Sequence, residues 1–210
     1  LLQASKYYDC EIAIIPSHYR NVPQWDTGEK KEFCDLVKPY LVKSTITFGN
    51  LHIYSDIKVQ PTAVNPLSSM ESVGGGDDLI LGHPQQMRTA VAAHGFPKTM
   101  YTTGSVTNAN YAIGKAGAKG EFHHCQSALI LEKYKDIVFV RQLSFDDDGH
   151  FYDLDMRFTP SGCSSGHRIE ALSTGDEHWK FNTVEKATYG KGGMTEMLRP
   201  KYIVRNDVLD

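Results

Sequence analysis

The sequence lacks the features that would assign it to a membrane, secreted or strongly basic class. No apolar run approaches the ~20 residues of a membrane-spanning helix, and Leu1-Leu2-Gln3 lacks the charged start of a signal peptide. The net charge is −3 and the isoelectric point is near 6.3, so contact with a polyanion needs local clusters or a bound cation. At 40% hydrophobic residues, the composition excludes disordered and collagen-like chains.

Paired cysteines are missing as well. The four cysteines, Cys10, Cys34, Cys125 and Cys163, are scattered, and none forms a CxxC pair. A chain of 210 residues can bury its own core without disulfide staples. This pattern fits a reducing compartment, and we predict a cytoplasmic protein without a membrane span.

The two ends of the sequence indicate a piece of a longer protein. The chain has no initiator methionine, and its last stretch, KYIVRNDVLD, is apolar and strand-like where a natural tail is usually polar. We therefore expect further residues of the same protein after Asp210.

The apolar pattern predicts an α/β protein of the α+β kind. Ile12–Ile15 reads as a buried strand that ends at Pro16, and residues 29–43 predict a short helix from their apolar spacing. From residue 45 to residue 160, strand-like runs alternate with Gly, Pro and Asp clusters and predict a mixed or largely antiparallel sheet. These runs are LHIYSDIKVQP, DLILGHP, KTMYTTGS, HCQSALILEKY, DIVFVRQLSF and GHFYDLDMRFTP, with a hairpin turn predicted at KYKDI.

A stretch rich in Ser, Gly and Pro, residues 157–167, has the composition of a connector. It predicts an N-terminal mixed α/β domain, residues 1–165, that shapes substrate access or assembly, and a second unit, residues 166–210. In the second unit, RIEALST and KYIVRND read as strands that flank a predicted helix with a glycine-rich interruption. This β-α-β order predicts two parallel strands.

Acidic and imidazole side chains gather just past the ends of these two strands. Asp176 and His178 follow the first strand and Asp207 follows the second, and a right-handed crossover brings both carboxyl ends to one edge. Carboxylate and imidazole are ligands for Mn²⁺, Fe²⁺ or Zn²⁺, and two ions about 3.5–4 Å apart can activate water and clamp a phosphoryl group. We predict a metal site of Asp176, His178 and Asp207. The alternative is a set of ordinary polar residues at strand ends.

Here the motifs resemble a known family. Gly175-Asp176-Glu177-His178 resembles the first motif of calcineurin-like metallophosphoesterases, D-x-H after a strand, and RNDVLD resembles their second, G-D-x-x-D, with Asn206 in place of the usual Gly. The resemblance implies that Asp176, His178 and Asp207 hold two divalent ions, Mn²⁺ foremost, with His178 and Asp207 in catalytic roles. The family's later histidine motifs have no counterpart up to Asp210, and the resemblance implies that they lie further along the protein.

Most of the remaining chain resembles the N-terminal region of phage-encoded metallophosphatase proteins. The likeness rests on VQPTAVNPLSSMESVGGGDDLILGHPQQ, TTGSVTNANYAIGKAGAKGEFHH and FYDLD. At family level it points to T5-type pre-early proteins linked to host DNA degradation. It implies a metal-dependent DNase of host takeover, a hydrolase that binds DNA in the cytoplasm of the infected cell.

Two loops carry side chains suited to phosphate. His18 and Arg20 follow the predicted strand Ile12–Ile15, and in GKAGAKGEFHH the glycines let backbone approach a phosphate while the lysines supply charge. The alternative for residues 114–124 is a flexible solvated loop that leads into a strand. At most one of the adjacent His123 and His124 is expected to serve this site. The candidate substrate-binding residues are His18, Arg20, Lys115, Lys119, His123 and His124.

Two other stretches have structural explanations. His83 lies between Gly82 and Pro84, and a simple turn explains it. SFDDDGHF superficially resembles a calcium loop but lacks the later Glu, and it predicts an acidic hairpin turn.

A function from another class competes with the enzyme. The chain then is a non-catalytic module that binds nucleic acid or a host factor, and the D-x-H motif is a remnant. The sequence leaves open whether the substrate is DNA, RNA or a nucleotide, and whether the chain forms a homo-oligomer.

Overall fold

The protein is an α+β chain in which short strands outnumber helices, as the sequence predicts. The computed structural model describes residues 1–16, 18–19, 22–23, 35–57, 59–92, 97–135, 137–168, 171–177 and 202–207. The helices are α1 (Leu2–Tyr8), a 3₁₀ turn (Lys38–Tyr40) and α2 (Lys115–His123). The strands of the N-terminal half are β1 (His18–Tyr19), β2 (Val22–Pro23), β3 (Ile46–Phe48), β4 (Leu51–Tyr54), β5 (Asp78–Leu81), β6 (Arg88–Val91) and β7 (Lys98–Thr102). Those that follow are β8 (Ser127–Tyr134), β9 (Ile137–Ser144), β10 (Phe151–Asp153), β11 (Met156–Thr159), β12 (Gly162–Ser164), β13 (Ala171–Glu177) and β14 (Tyr202–Asp207).

A mixed five-stranded sheet forms the first layer, in the order β3-β4-β5-β7-β6. Its central strands β4, β5 and β7 run parallel, and β3 and β6 flank them antiparallel. All five residues of β7 and the last three of β5 are buried, which is why DLIL and KTMYT read as nearly continuous buried runs. Lys98 is buried here because its ammonium donates to the carbonyl oxygens of Glu71, Val73 and Gly75. These bonds offset the cost of burying the charge.

The hairpin of β8 and β9 forms the second layer. Eight residue pairs hold it, from Ser127–Ser144 to Tyr134–Ile137, and Lys135 turns the chain with a φ of 56°. The predicted hairpin at KYKDI is therefore confirmed. One face of the hairpin packs Leu129 and Leu131 against Ile53 and Ile80 of the sheet. The predicted mixed sheet is confirmed in the five strands of the first layer, and the hairpin packs against that sheet instead of extending it.

The third layer is the small antiparallel sheet β10-β11-β12 with helix α1 beside it. Phe151, Met156 and the fully buried Phe158 pack against Ala4 and the second face of the hairpin. Burying a phenylalanine contributes roughly 1.5–3 kcal/mol.

The predicted connector at residues 157–167 is wrong for most of its length. RFT belongs to β11 and GCS to β12, and Phe158 pairs with Cys163 across the turn. Ser, Gly and Pro at residues 160–162 turn a hairpin here rather than link two domains. The division into residues 1–165 and 166–210 stays a prediction.

The first predicted elements are also different from the structure. Ile12–Ile15 is not a strand, since only Ile14 forms a bridge, parallel to Leu41. The isoleucines are half-buried, because they face a cavity rather than a sheet neighbour. Of the short helix predicted at residues 29–43, residues 35–37 are helical and Pro39 lies in the 3₁₀ turn that follows. Residues 41–43 are not helical, and residues 29–34 lie outside the described residues. Within the part of the chain that the structure describes, no helix is long and apolar enough to cross a membrane.

Candidate functional site

The predicted metal ligands lie at the carboxyl ends of β13 and β14, which we call the acidic edge. The two strands pair in parallel, as predicted, and run from Ala171–Tyr202 to Glu177–Asp207. β13 runs three residues past the end of the predicted strand RIEALST, so Asp176 lies inside it. β14 ends at Asp207, the last residue of the predicted strand KYIVRND, so Asp207 lies at the strand end rather than just past it. His178 follows directly and lies outside the described residues, as does the predicted helix between the strands.

The register of this pair is irregular where the ligands are expected. Between Ser173 and Asp176 the register shifts, so that Thr174 and Gly175 in β13 face Arg205 alone in β14. Asp176 then pairs with Asn206, and Asp207 pairs with Glu177. The two aspartates are one register step apart, and such residues share a site only where strands end or their pleat is interrupted. Both conditions are met here, and bulges of this kind are frequent beside active sites.

The carboxyl ends of β4, β5 and β7, with the loops that follow them, form a second set of parallel strand ends, which we call the sheet edge. His83 follows β5 and is only 2% exposed. Its Nε2–H donates to the carbonyl of Gln60 at 3.0 Å, and its Nδ1 accepts the Gln85 N–H at 3.1 Å. Burial lowers the pKa of His83. The predicted turn is confirmed, and the structure adds that this histidine is buried and neutral.

The stretch GKAGAKGEFHH forms helix α2 and its C-cap, so the flexible loop is wrong. A Cβ at Gly117 would lie 1.8 Å from the carbonyl oxygen of Ala112, and one at Gly120 would lie 2.6 Å from the Tyr111 ring. The glycines therefore let the helix approach residues 111–112 closely, a tertiary contact that local composition does not reveal.

The four candidate substrate-binding residues on α2 have different surroundings. Lys115 and Lys119 are exposed and four residues apart, so they lie on one helix face where a polyanion can reach them. His123 is half-buried in the last turn. His124 is engaged internally, because its Nε2–H donates to the Thr107 carbonyl at 2.7 Å and its Nδ1 accepts from Tyr111 Oη at 3.1 Å. The expectation that at most one of these two histidines serves the site assumed a strand, in which adjacent side chains point to opposite faces. It does not apply here, since both residues lie at a helix end.

The remaining candidates are beyond a structural test. His18 lies in β1, opposite Pro23, and its side chain and Arg20 fall outside the described residues.

A further cluster of metal-type ligands lies in the turn between β9 and β10. The ligand atoms of Asp146, Asp148 and His150 lie within 4.8 Å of one another, on side chains of which two are exposed. The Asp146 carboxylate already accepts the N–H groups of Asp148 and His150, at 3.1 and 2.7 Å. The hydrogen bond from His150 N–H is the main cause of the lowered pKa of Asp146. These bonds are those of an Asx-type turn, so the predicted acidic turn is confirmed. It is not a hairpin turn, because β9 pairs with β8 and β10 pairs with β11. The D-x-D-x-H spacing is the sequence signal for this cluster.

Comparison with known proteins supports a T5-like phage protein. The chain is similar to Protein A1 of Escherichia phage T5, with 37% identity over 170 residues, which cover 74% of this chain and 30% of that protein. The chain thus spans less than a third of the length of the relative it matches. No family model matches the chain. No solved structure matches it either. The predicted likeness to a T5-type phage protein is confirmed, and membership of the metallophosphoesterases stays a prediction.

Proposed function

We propose that this chain carries part of the metal-binding centre of a phosphodiesterase, a phage nuclease that hydrolyses DNA. The observation that carries the proposal is the parallel pairing of β13 and β14, which brings Asp176 and Asp207 to neighbouring register positions at one sheet edge. In α/β proteins, the side chains that carry the chemistry gather at the carboxyl ends of parallel strands.

The donor set fits a divalent cation. Asp176 and Asp207 supply carboxylate oxygens and His178 an imidazole nitrogen, which suit Mn²⁺ or Zn²⁺. When bound, two such ions supply an activated water and neutralise charge on the phosphate. The chain's own residues position that chemistry: the bulge at Thr174–Gly175 sets where Asp176 lies relative to Asn206.

The similarity to Protein A1 of phage T5 supports the phage origin in this proposal. The name of that relative specifies no reaction. The exposed lysines Lys115 and Lys119 supply a local basic face on a chain of net charge −3, and lysines of this kind attract a phosphate backbone.

The test is plasmid cleavage by the complete protein that contains this sequence, with Mn²⁺ present or withheld. We expect Asp176→Asn and Asp207→Asn each to lower the Mn²⁺-dependent rate by at least about 100-fold, because ligand loss costs more than the 10–100-fold typical of residues behind the ligands. Mn²⁺ binding, followed by electron paramagnetic resonance, should weaken in parallel.

Asp146→Asn is the matched control, since it neutralises a carboxylate in the turn between β9 and β10 and leaves the acidic edge unchanged. It should leave the rate within about twofold. Cleavage that survives Asp176→Asn and Asp207→Asn but is lost in Asp146→Asn would move the metal site to the turn. DNA binding without cleavage in the unaltered protein would favour the non-catalytic binding module.

A further inference from the structure

A large cavity lies between the hairpin and the chain that precedes β1. Its volume is about 1200 Å³, and it reaches from α1 to the loops of the sheet edge. Residues 10–16 and residues 127–132 of β8 both line it. This volume is larger than the roughly 300–1,000 Å³ of ordinary ligand pockets.

The cavity passes along the edge of β8 and extends over one face of the hairpin as far as Arg141 and Leu143 of β9. Successive side chains of a strand point to opposite faces. Leu129 and Leu131 pack toward the five-stranded sheet, and Ile130 packs toward Phe151 and Phe158. Since all of residues 127–132 line the cavity, its contact with them must follow the strand edge.

The hairpin register shows which backbone groups face this edge. Tyr134 and Ile137 close a two-residue turn, and such a closing pair exchanges hydrogen bonds across the hairpin. Every second residue along β8 then points its N–H and C=O away from β9. Ser127 follows this rule, because its N–H donates outward to the Ser105 carbonyl at 3.1 Å. Leu129 and Leu131 are the next in the series. Within the described residues, neither has a backbone partner on that side.

The electrostatic character of the cavity favours an uncharged ligand. The charged side chains among its described lining are Glu11, Glu132 and Arg141. Arg141 is already bound by Glu132 at 2.7 Å and by the buried Asp153 at 2.7 Å. His83 offers no positive charge, because its Nδ1 accepts the Gln85 N–H, and both ring nitrogens of His124 are engaged by Thr107 and Tyr111. Among the described lining residues there is no lysine and the one arginine is paired, so a phosphate would find no unpaired lysine or arginine there.

We infer that this cavity binds an extended, uncharged apolar peptide segment, which adds as a strand to the open edge of β8. The main chain of the ligand pairs with the N–H and C=O groups of Leu129 and Leu131, and its side chains contact the isoleucines at 12, 14, 53 and 80. Strand addition of this kind gives affinity through main-chain hydrogen bonds and specificity through alternate side chains. The site lies on β8 and is independent of the acidic edge.

The probe is a capped tripeptide, acetyl-Val-Ala-Val-amide, titrated into the isotope-labelled protein and followed by NMR. We expect shifts and slowed hydrogen exchange at the amides of Leu129 and Leu131. The amide of Ile130 is the internal control, because it already bonds to β9 and should change little. In the free protein, Leu129 and Leu131 should exchange faster than Ile130. Equally slow exchange of all three would overturn the proposal, since the edge would then be paired already.

Two control peptides separate strand pairing from apolar binding. The same tripeptide with an N-methylated central amide cannot complete the ladder and should bind at least 10-fold more weakly. An acetyl-Asp-Ala-Asp-amide should also bind at least 10-fold more weakly. Equal binding of the N-methylated peptide would show an apolar pocket without strand addition, and this would contradict the proposal, as would the absence of any β8 shift at millimolar peptide.

Ala13→Trp and Ala118→Trp form a matched pair of variants. Ala13 lines the cavity, whereas Ala118 lies on α2 and is not among its lining residues, and both are exposed. We expect Ala13→Trp to weaken peptide binding at least 10-fold and Ala118→Trp to leave it unchanged. Equal affinities in the two variants would place the peptide elsewhere.

Discussion

The sheet edge and the acidic edge are both ends of parallel strands, yet they carry opposite chemistry. At the sheet edge, β5 and β7 are followed by His83 and Thr103–Thr107, whose polar groups bond largely to one another and to backbone. At the acidic edge, two neighbouring strands carry Asp176 and Asp207 at or next to their last residues. The two edges share the same topology, and the residues at the strand ends make the difference. The cation site that we propose belongs to the acidic edge, where those residues are carboxylates.

The largest expected effect comes from replacing a buried residue next to the sheet edge. Leu81 is fully buried at the end of β5, and Leu81→Ala should lower the free energy of unfolding by about 2–5 kcal/mol, from lost burial and the cavity left behind. Urea denaturation measures this. Leu154→Ala, at a residue 57% exposed, should change stability by less than about 0.5 kcal/mol. Similar losses in both variants would contradict the assignment of Leu81 to the core.

Removing the buried histidine tests whether the sheet edge is structural. His83→Ala leaves the Gln60 carbonyl and the Gln85 N–H without their partner, and we expect a loss of about 1–3 kcal/mol. His123→Ala, at a half-buried histidine in α2, is the control and should cost less than about 0.5 kcal/mol. Should His83→Ala prove neutral in chemical denaturation, the hydrogen bonds of this edge would contribute nothing to stability.

The same histidine predicts a dependence on pH. Burial lowers the pKa of His83 in the folded protein. In the unfolded chain this side chain takes up a proton near the ordinary histidine pKa of about 6.5, whereas in the folded protein it stays neutral at that pH. Stability from this residue is present above that pH and is lost as the pH falls. The difference in unfolding free energy between the unaltered protein and His83→Ala should therefore be smaller at pH 5.5 than at pH 7.5. An equal difference at both values would show that His83 does not titrate differently on folding.

The smallest expected effect on stability comes from the exposed lysines of α2. Replacing them tests whether they contact the DNA substrate. Lys115→Ala with Lys119→Ala should leave stability within about 0.5 kcal/mol. If both contact DNA phosphates, the slope of log affinity against log salt should fall by about 1.8. The double variant Lys133→Ala with Lys135→Ala, on the hairpin, is the control. An unchanged slope in the α2 variant would remove these lysines from the substrate-binding set.

Strand positions were predictable where burial is local to the strand. DLIL, KTMYT and SALIL carry the residues that sheets bury, and all three are strands. The helix α2 was not predictable, because Gly117 and Gly120 weaken its propensity and only the contact with Tyr111 and Ala112 makes their absent side chains an advantage. The hairpin at residues 157–164 was missed for a related reason, since Phe158 gains its burial from α1 and β10 rather than from its neighbours in sequence.

The sequence by itself determined the α+β class, most of the strands, the parallel order of β13 and β14, and the likeness to a T5-type phage protein. These follow from local burial patterns and chain order, which are written in consecutive residues. Only the tertiary structure decided that three layers enclose a cavity along β8, that His83 and His124 form hydrogen bonds inside the chain, and that Asp176 and Asp207 stand one register step apart. Such properties depend on which distant residues become neighbours, and periodicity along one strand does not carry that information.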